Sequence, residues 1–403
     1  MKGLNSRLSI FNIGHITAGF STVLVGYTSS IVIIIQVATA SGVTDAQLSS
    51  WLLTLGVMIG ISTIGLSWFY KTPVLTAWST PGAAMLVGLV ADYTLSDIVG
   101  AFVVSGALIT LTGMIKPLTR ALERIPAQLG TAMLAAILLP FCLRAFEPIS
   151  TNLTLFLCMF VSFLVAKHIM PRYVMLVLLL VGIGASLVMT GQQDAVVPHS
   201  AMAQKAVFDF PKPVWVMPTF DWLAIINLSI PLYLVTMLSQ NLPGVTVLKS
   251  FSYQPAVKPI LVTTGALNTV LAGFGGFSLN LAAISAAICM GEEVDKDKGK
   301  RYRAALWAGT FYFLLGLFAT TVVAFLLMLP MVIVHILAGL ALLGTLLMCL
   351  QSSFTPSKYQ EAALFTFIIT LSGVTLWGVS STMLGLCVGL IYLRLTRAVQ
   401  FAR

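Results

Sequence analysis

Long apolar runs, separated by short polar joints, recur along the whole chain. A helix needs about 20 apolar residues to cross the hydrocarbon of a bilayer. On that ruler the runs predict membrane spans at 12–37, 47–68, 72–91, 94–115, 126–144, 152–168 and 171–189. After a polar stretch they resume at 219–241, 256–273, 275–290, 302–325, 328–350, 361–378 and 379–395. The pattern predicts an all-α membrane protein of fourteen spans. The third and tenth runs, 72–91 and 275–290, are interrupted by proline or glycine and read as discontinuous spans.

The polar stretch 191–218 divides the chain into residues 1–190 and 219–403, with seven spans each. Seven is odd, so the second half must sit inverted relative to the first. Inverted repeats are characteristic of secondary transporters. Pro126 opens the fifth span and Pro330 the twelfth, about 204 residues apart, and the two interrupted spans keep a similar offset. Each half is read as one inverted repeat, with 191–218 as an extracytoplasmic connector.

Within the third span, Pro73 disfavours helix at Thr72. Residues 74–76 are short and β-prone, and Ser79 or Thr80 can cap a helix with Pro81 in its first turn. The span reads as an extended stretch that becomes helical halfway across. The tenth repeats the grammar. Residues 273–280 (Gly-Phe-Gly-Gly-Phe-Ser-Leu-Asn) are glycine-rich and extended, and Ser278 or Asn280 is expected to cap a helix over 281–290. In inverted halves these half-helices enter from opposite sides, and their amino termini meet near the midplane. Each terminus offers unpaired N–H groups and roughly half a positive charge, so the pair makes an anion site. Glycine and proline also occur as simple kinks in packed membrane helices. The matched placement in both halves favours the site.

The eighth span ends in Ser239-Gln240-Asn241, a costly polar triplet in an apolar run. Gln240 and Asn241 are candidates to hydrogen-bond a substrate, to join helices, or to end one ahead of Pro243. No Asp or Glu falls in the middle of a span, whereas transport of a cation ordinarily calls for an embedded carboxylate. His15 in the first span and His335 in the twelfth read first as interhelical donors and second as proton carriers. The mixed-charge segment 291–303 reads as a solvated cytoplasmic linker.

Composition agrees with a bilayer as solvent. Of 403 residues, 58% are hydrophobic and 9% charged, against roughly 25% charged in soluble domains. A net charge of +9 would suit nucleic acid, but the basic residues sit in the short joints, where they set topology. With the amino terminus inside, all 22 Lys and Arg fall on the cytoplasmic side except Arg144, Lys205 and Lys212. Both termini are therefore expected in the cytoplasm, and no nucleic-acid partner is expected. Residues 1–9 lead into a retained first helix with no cleavable signal. Cys142, Cys158, Cys289, Cys349 and Cys387 form no CxxC pattern. No nucleotide loop, metal motif or nucleophile–base pattern occurs, so neither catalysis nor a cofactor or metal is expected.

Three stretches carry a resemblance. They are Lys71-Thr-Pro-Val-Leu-Thr-Ala-Trp-Ser-Thr-Pro-Gly-Ala-Ala, Pro231-Leu-Tyr-Leu-Val-Thr-Met-Leu-Ser-Gln-Asn-Leu-Pro-Gly and Gly276-Phe-Ser-Leu-Asn-Leu-Ala-Ala-Ile-Ser-Ala-Ala-Ile-Cys-Met-Gly. They resemble the bacterial benzoate:proton symporter family, and the resemblance covers nearly the whole chain. That family is related to the uracil and sulfate-type anion transporters. The kinship implies a core domain (spans 1–4 and 8–11) moving against a gate domain (spans 5–7 and 12–14). It also implies import of benzoate or a similar small aromatic carboxylate with protons across the bacterial inner membrane.

Uracil-type members carry a carboxylate in the eighth span about where Gln240 stands, and another in the tenth near Ala283. Both acids are missing here, which argues against a nucleobase and for a substrate that brings its own carboxylate. That group is expected near Ser79, Thr80, Ser278 and Asn280, with Gln240 donating a hydrogen bond and Asn241 beside it. Tyr27, Trp78 and Phe277 are the nearest candidates for contact with an aromatic ring, unless they serve only as packing. The rival readings are an anion channel or uniporter, a transporter of another small organic anion or nucleobase, and an intramembrane enzyme. The missing catalytic pattern disfavours the last. Substrate, proton and surrounding lipid are the expected partners, and a homo-oligomer is left open.

Overall fold

A computed structural model describes residues 12–115, 117, 126–171, 173–190, 210–282, 284–327, 329–355 and 357–401. The basic residues Lys2, Arg7, Lys116, Arg120, Arg124, Arg172, Lys205 and Arg403, together with Ala283, lie outside these residues.

Helix α1 (Ile13–Ala40) starts at Asn12, whose side chain accepts the Gly14 N–H. Helix α2 (Asp45–Tyr70) opens with a reciprocal cap between Thr44 and Gln47 and ends at Lys71, left-handed at φ 50°, just ahead of Pro73. Strand β1 (Thr76–Trp78) leads into α3 (Thr80–Val87). Then follow α4 (Leu95–Met114), α5 (Ala127–Arg144), α6 (Leu153–Ile169) and α7 (Val174–Thr190). The second half contains α8 (Trp222–Ser250), α9 (Val257–Leu271), strand β2 (Leu279–Leu281) and α10 (Ile284–Ile288). It closes with α11 (Tyr302–Leu317), α12 (Ala319–Leu327), α13 (Met331–Ser353), α14 (Gln360–Ser372) and α15 (Ser381–Phe401). Among the described residues, six helices are long and apolar enough to cross a membrane, or up to eight if each bent pair is one span. Three shorter apolar helices accompany them.

Every predicted span contains a helix, but several differ in extent. The eighth does not stop at 241: α8 runs through Pro243 to Ser250. Two wide π turns, Ile225–Ser229 and Met237–Asn241, come just before Pro231 and Pro243. Proline lacks an N–H and its ring crowds the carbonyl one turn back, and a widened turn absorbs both defects. The eleventh span bends by 69° between α11 and α12. The thirteenth stops at Ser372, where Gly373 turns left-handed at φ 68°. The tenth holds only the five-residue α10, not a helix over 281–290, because residues 279–281 are strand. Among the described residues the fold is helical with one short antiparallel sheet, β1 against β2.

Helix packing falls into two groups. In one, α11 lies against α2 and α1, and α4 lies along α9. In the other, α5, α13, α14 and α15 pack together, and α6 packs on α7. Glycines draw the first group close. A Cβ on Gly56 would sit 2.6 Å from the Gly316 Cα, and one on Gly265 would sit 2.8 Å from the Gly106 oxygen. Small residues let backbones approach where lipid removes the hydrophobic drive between helices.

Candidate substrate site

Non-helical backbone inside a membrane must find partners in the protein. For the first crossing, β1–α3, the hydroxyls of α2 supply them. Ser67 Oγ donates to the Val74 oxygen at 2.9 Å and accepts the Val74 N–H at 3.1 Å. Thr63 Oγ1 accepts the Thr76 N–H at 3.0 Å, and the Thr76 hydroxyl lies 2.7 Å from Ser62 Oγ. Ser79 then caps α3: its Oγ accepts the Gly82 N–H at 3.0 Å, with Pro81 in the first turn, as the sequence pattern predicts.

The second crossing is built differently. Gly275 takes φ 90° and Ser278 φ 51°, and the Phe274 oxygen accepts from Ser50 Oγ and Thr54 Oγ1 of α2 at 3.2 and 3.1 Å. Asn280 is no helix cap. It lies in β2, opposite Ala77 of β1. Its Nδ2 donates to the Ser278 oxygen at 2.7 Å, and its Oδ1 is buried with no hydrogen-bond partner among the described residues. Two amides from other helices fix the strand. Asn268 of α9 grips Leu279 from both sides, accepting its N–H at 2.8 Å and donating to its oxygen at 3.0 Å. Asn241 of α8 accepts the Leu281 N–H at 3.0 Å.

The two crossings meet directly. The Ser79 N–H donates to the Ser278 oxygen at 3.0 Å, and the Ala282 N–H donates to the Leu75 oxygen at 2.9 Å. Ser79, Ser278, Asn280 and Asn241 thus belong to one buried polar cluster, with half-buried Thr80 at its edge. Half-buried Gln240 adjoins it on the π turn of α8 and has no hydrogen-bond partner among the described residues. Helix α5 lies against both α3 and this π turn.

The aromatic candidates separate. Trp78 donates from Nε1 to Ser30 Oγ at 2.7 Å, and its ring stands 5.4 Å from Tyr27 and 6.0 Å from Tyr312. Phe277 turns away, stacking on Phe102 at 4.7 Å beside Trp51. Beyond Tyr27 lies an apolar cavity of about 410 Å³ between α1, α7, α12 and α13, with Ile31, Phe325 and Leu337 in its wall. That volume falls within the range of small-molecule sites, roughly 300–1,000 Å³.

Sequence reasoning missed Asn268, Tyr312 and the hydroxyls of α2. A signal existed for the last: Ser50, Thr54, Met58 and Ser62 recur every fourth residue and so line one helix face. Asn268 and Tyr312 carried no such mark: Asn268 acts on backbone across the glycine-rich turn, and the partners of Tyr312 are distant in sequence.

Residues 9–395 match the family described as Benzoate membrane transport protein. The chain is 41% identical over 372 residues to Inner membrane protein YdcO of Escherichia coli (strain K12), covering 92% of this chain and 93% of that one. It is 34% identical over 374 residues to the Benzoate membrane transport protein of Acinetobacter baylyi (strain ATCC 33305 / BD413 / ADP1), covering 93% of each. Among solved structures, the transmembrane domain of the cyanobacterium bicarbonate transporter BicA is similar with a TM-score of 0.62 at 14% identity, over 94% of this chain and 97% of that one. SLC26A9 is similar with a TM-score of 0.62 at 14% identity, over 96% of this chain, which spans 65% of that longer protein. At such identity these two show the fold alone. Family match and curated relatives span nearly the whole chain, and this membrane transporter belongs to the benzoate membrane transport protein family.

Proposed function

We propose that the protein imports benzoate or a similar small aromatic carboxylate together with protons. Spans 1–4 and 8–11 form a core that moves against spans 5–7 and 12–14. The carrying observation is the chemistry of the joined crossings. Ser79, Ser278, Asn280 and Asn241 bring hydroxyls and amides together, with no carboxylate on β1, α3, β2 or the Ser239–Asn241 triplet. The positive end of α3 points into the same place. An amide can turn to offer its NH₂, so Asn280 and Gln240 can donate to a carboxylate. Tyr27 and Trp78 stand ready for the ring. Phe277, stacked on Phe102, serves packing instead.

The inverted-repeat reading, 1–190 and 219–403 joined by 191–218, draws support from the packing. If α1 corresponds to α8, then the pair α2–α11 corresponds to α9–α4, and both pairs cross on glycines. The basic-residue pattern supports cytoplasmic termini and a bacterial inner-membrane location. Proton coupling has an energetic reason. Moving one negative charge inward against 100 mV costs about 2.3 kcal/mol, roughly fifty-fold against accumulation. One proton carried along cancels that cost.

The test is thermal stabilisation of the purified protein across carboxylates and nucleobases, followed by titration calorimetry on Gln240→Ala. Benzoate should stabilise and uracil should not. Gln240→Ala should weaken benzoate about ten- to a hundred-fold, the value of a hydrogen bond to a charged group. Stabilisation by uracil alone would sink the carboxylate reading, and wild-type affinity in folded Gln240→Ala would remove Gln240 from the site.

A further inference from the structure

His15 plays no part in the substrate cluster, yet it is fully buried. Its Nε2 lies 2.9 Å from Asp295 Oδ2. Its Nδ1 is buried with no hydrogen-bond partner among the described residues. Asp295 belongs to segment 291–303, which the sequence alone presents as a solvated linker. The structure leaves Glu292, Glu293, Lys296, Asp297 and Lys300 exposed, but not the whole segment. Arg301, only 6% exposed, donates from Nε to the Asp295 oxygen and from Nη1 to the Met290 oxygen, both at 2.8 Å. The Asp297 N–H donates to Asp295 Oδ1 at 2.8 Å. The segment is folded against the protein and continues directly from α10, the helix of the second crossing.

A stripe of α1 connects this pair to the crossings. Residues 15, 19, 22, 26 and 30 share one helix face. Gly19 abuts Trp307, and Thr22 Oγ1 lies 3.2 Å from Cys289 Sγ. Gly26 abuts the Tyr312 hydroxyl, and Ser30 holds Trp78. The pair therefore sits at one end of a line of contacts whose other end is β1.

We propose that His15 is the proton-binding group of transport, with Asp295 as its partner; this rests on the proton-coupled reading above. The neutral ring directs its Nε2–H at the Asp295 carboxylate. A proton from solution adds to the Nδ1 lone pair, no bond breaks, and the pair passes from one net negative charge to none. The protonated pair fastens α1 to the segment behind α10, because both partners of the Nε2–H bond are then charged, an ion pair where the neutral ring makes a hydrogen bond to a single charge. Deprotonation loosens that tie and frees the segment to shift with the second crossing. One proton and one carboxylate together leave the charge of the loaded protein equal to that of the empty one.

Burial opposes the added proton and Asp295 attracts it, while Lys300, just before α11, and Arg303, in its first turn, repel it. Asp297 stays ionised, since its hydrogen bond from Lys300 holds its carboxyl below the usual range. Helix α11 also carries Tyr302 and Tyr312. Of the other elements against α1, helices α3, α7 and α10 carry no ionisable side chain. Helix α13 carries His335 and Cys349, α2 carries Asp45 and Tyr70, and the turn Val90–Asp92 carries Asp92.

The test uses the full-length protein in liposomes and the variant His15→Gln, whose amide can donate to Asp295 but cannot titrate. Uptake of labelled benzoate is corrected with protein-free vesicles, through which the neutral acid leaks. One proton per anion supports about tenfold accumulation per pH unit. His15→Gln should lose that gradient-driven factor and keep exchange of labelled for unlabelled benzoate at equal pH. Accumulation by His15→Gln equal to wild type overturns the proposal. A second measurement needs no substrate. Protection against deuterium exchange over 291–303, with the intrinsic pH dependence of amide exchange divided out, should fall as pH rises in the wild type, and stay flat in His15→Gln and in Asp295→Asn. A flat wild-type profile, or a pH-dependent one kept in either variant, overturns the proposal. If the wild type takes up no benzoate on a gradient while its exchange profile titrates through His15, the transport reading fails and the titrating tether stands.

Discussion

Ser79 caps α3 from within its own segment, whereas Leu279 and Leu281 are held by Asn268 and Asn241 of other helices. The two crossings share a sequence grammar and meet as paired strands, but they are made in different ways. In the first, Pro73, Ser79 and Pro81 say where extended chain stops and helix starts. In the second, glycine only permits an unusual path, and neighbours must then choose one. Phe274, Leu279 and Leu281 each find a partner on α2, α9 or α8. A capped helix start is a local instruction, and a glycine-rich crossing is an open one that tertiary structure closes.

If that is so, the largest effect belongs to a glycine of the second crossing. Gly275 has φ 90°, and a Cβ there would lie 1.8 Å from Trp51 Cδ1. Trp51 cannot retreat, because it is buried against Phe102 and Phe277. Left-handed strain and overpacking together should cost Gly275→Ala about 2–5 kcal/mol, read as a large fall in melting temperature in detergent. Gly82→Ala is the matched control. Its Cβ would meet the end of the Leu232 side chain at 2.8 Å and Ser79 Oγ at 2.9 Å, in helical backbone without positive φ. Equal losses at the two glycines would break the contrast.

The amide clamp comes next. Asn268→Ala leaves the buried N–H and oxygen of Leu279 without their side-chain partner, at about 1–3 kcal/mol for each group left unpaired. Asn268→Asp keeps the acceptor and loses the donor, so it should fall between Ala and wild type. Hydrogen exchange over 277–282 should rise in the same order. Unchanged exchange in Asn268→Ala would show that the strand holds itself.

The same contrast explains what the sequence disclosed. Apolar runs placed the helices, because bilayer thickness imposes a length that any sequence must show. The start of α3 was legible to the residue, since proline and serine act on their own backbone. The cap assigned to Asn280 was wrong, because pairing of 279–281 with Thr76–Trp78 joins residues about 200 positions apart. The continuation of α8 past Pro243 was missed because proline reads as a stop, whereas the π turn Met237–Asn241 accommodates it within the helix. Segment 291–303 looked solvated by its charge, and only Arg301 and Asp295 in place reveal it as folded against α1.

The smallest effects give the finest comparison. Ser79→Ala removes the acceptor for the buried Gly82 N–H, a lost cap worth about 0.5–2 kcal/mol. Ser79→Gly should lose only a few tenths, since glycine is tolerated at that position. A reading of Asn280 as the equivalent cap would predict the same loss for Asn280→Ala. Its contacts predict otherwise. The alanine gives up the Nδ2 bond to the Ser278 oxygen, about 0.5–1.5 kcal/mol net. That oxygen keeps the Ser79 N–H as a partner. The alanine also removes a buried, unpaired Oδ1, whose burial costs about 1–3 kcal/mol. The two changes offset, so Asn280→Ala should melt at or above the wild type while Ser79→Ala melts below it. A carboxylate cannot serve Oδ1 as it stands, but the turned amide would offer it the NH₂ group. Asn280→Ala should therefore gain stability and lose carboxylate affinity together. If Asn280→Ala instead melts as low as Ser79→Ala and binds benzoate as the wild type does, Asn280 is structural, and the two crossings are equivalent after all.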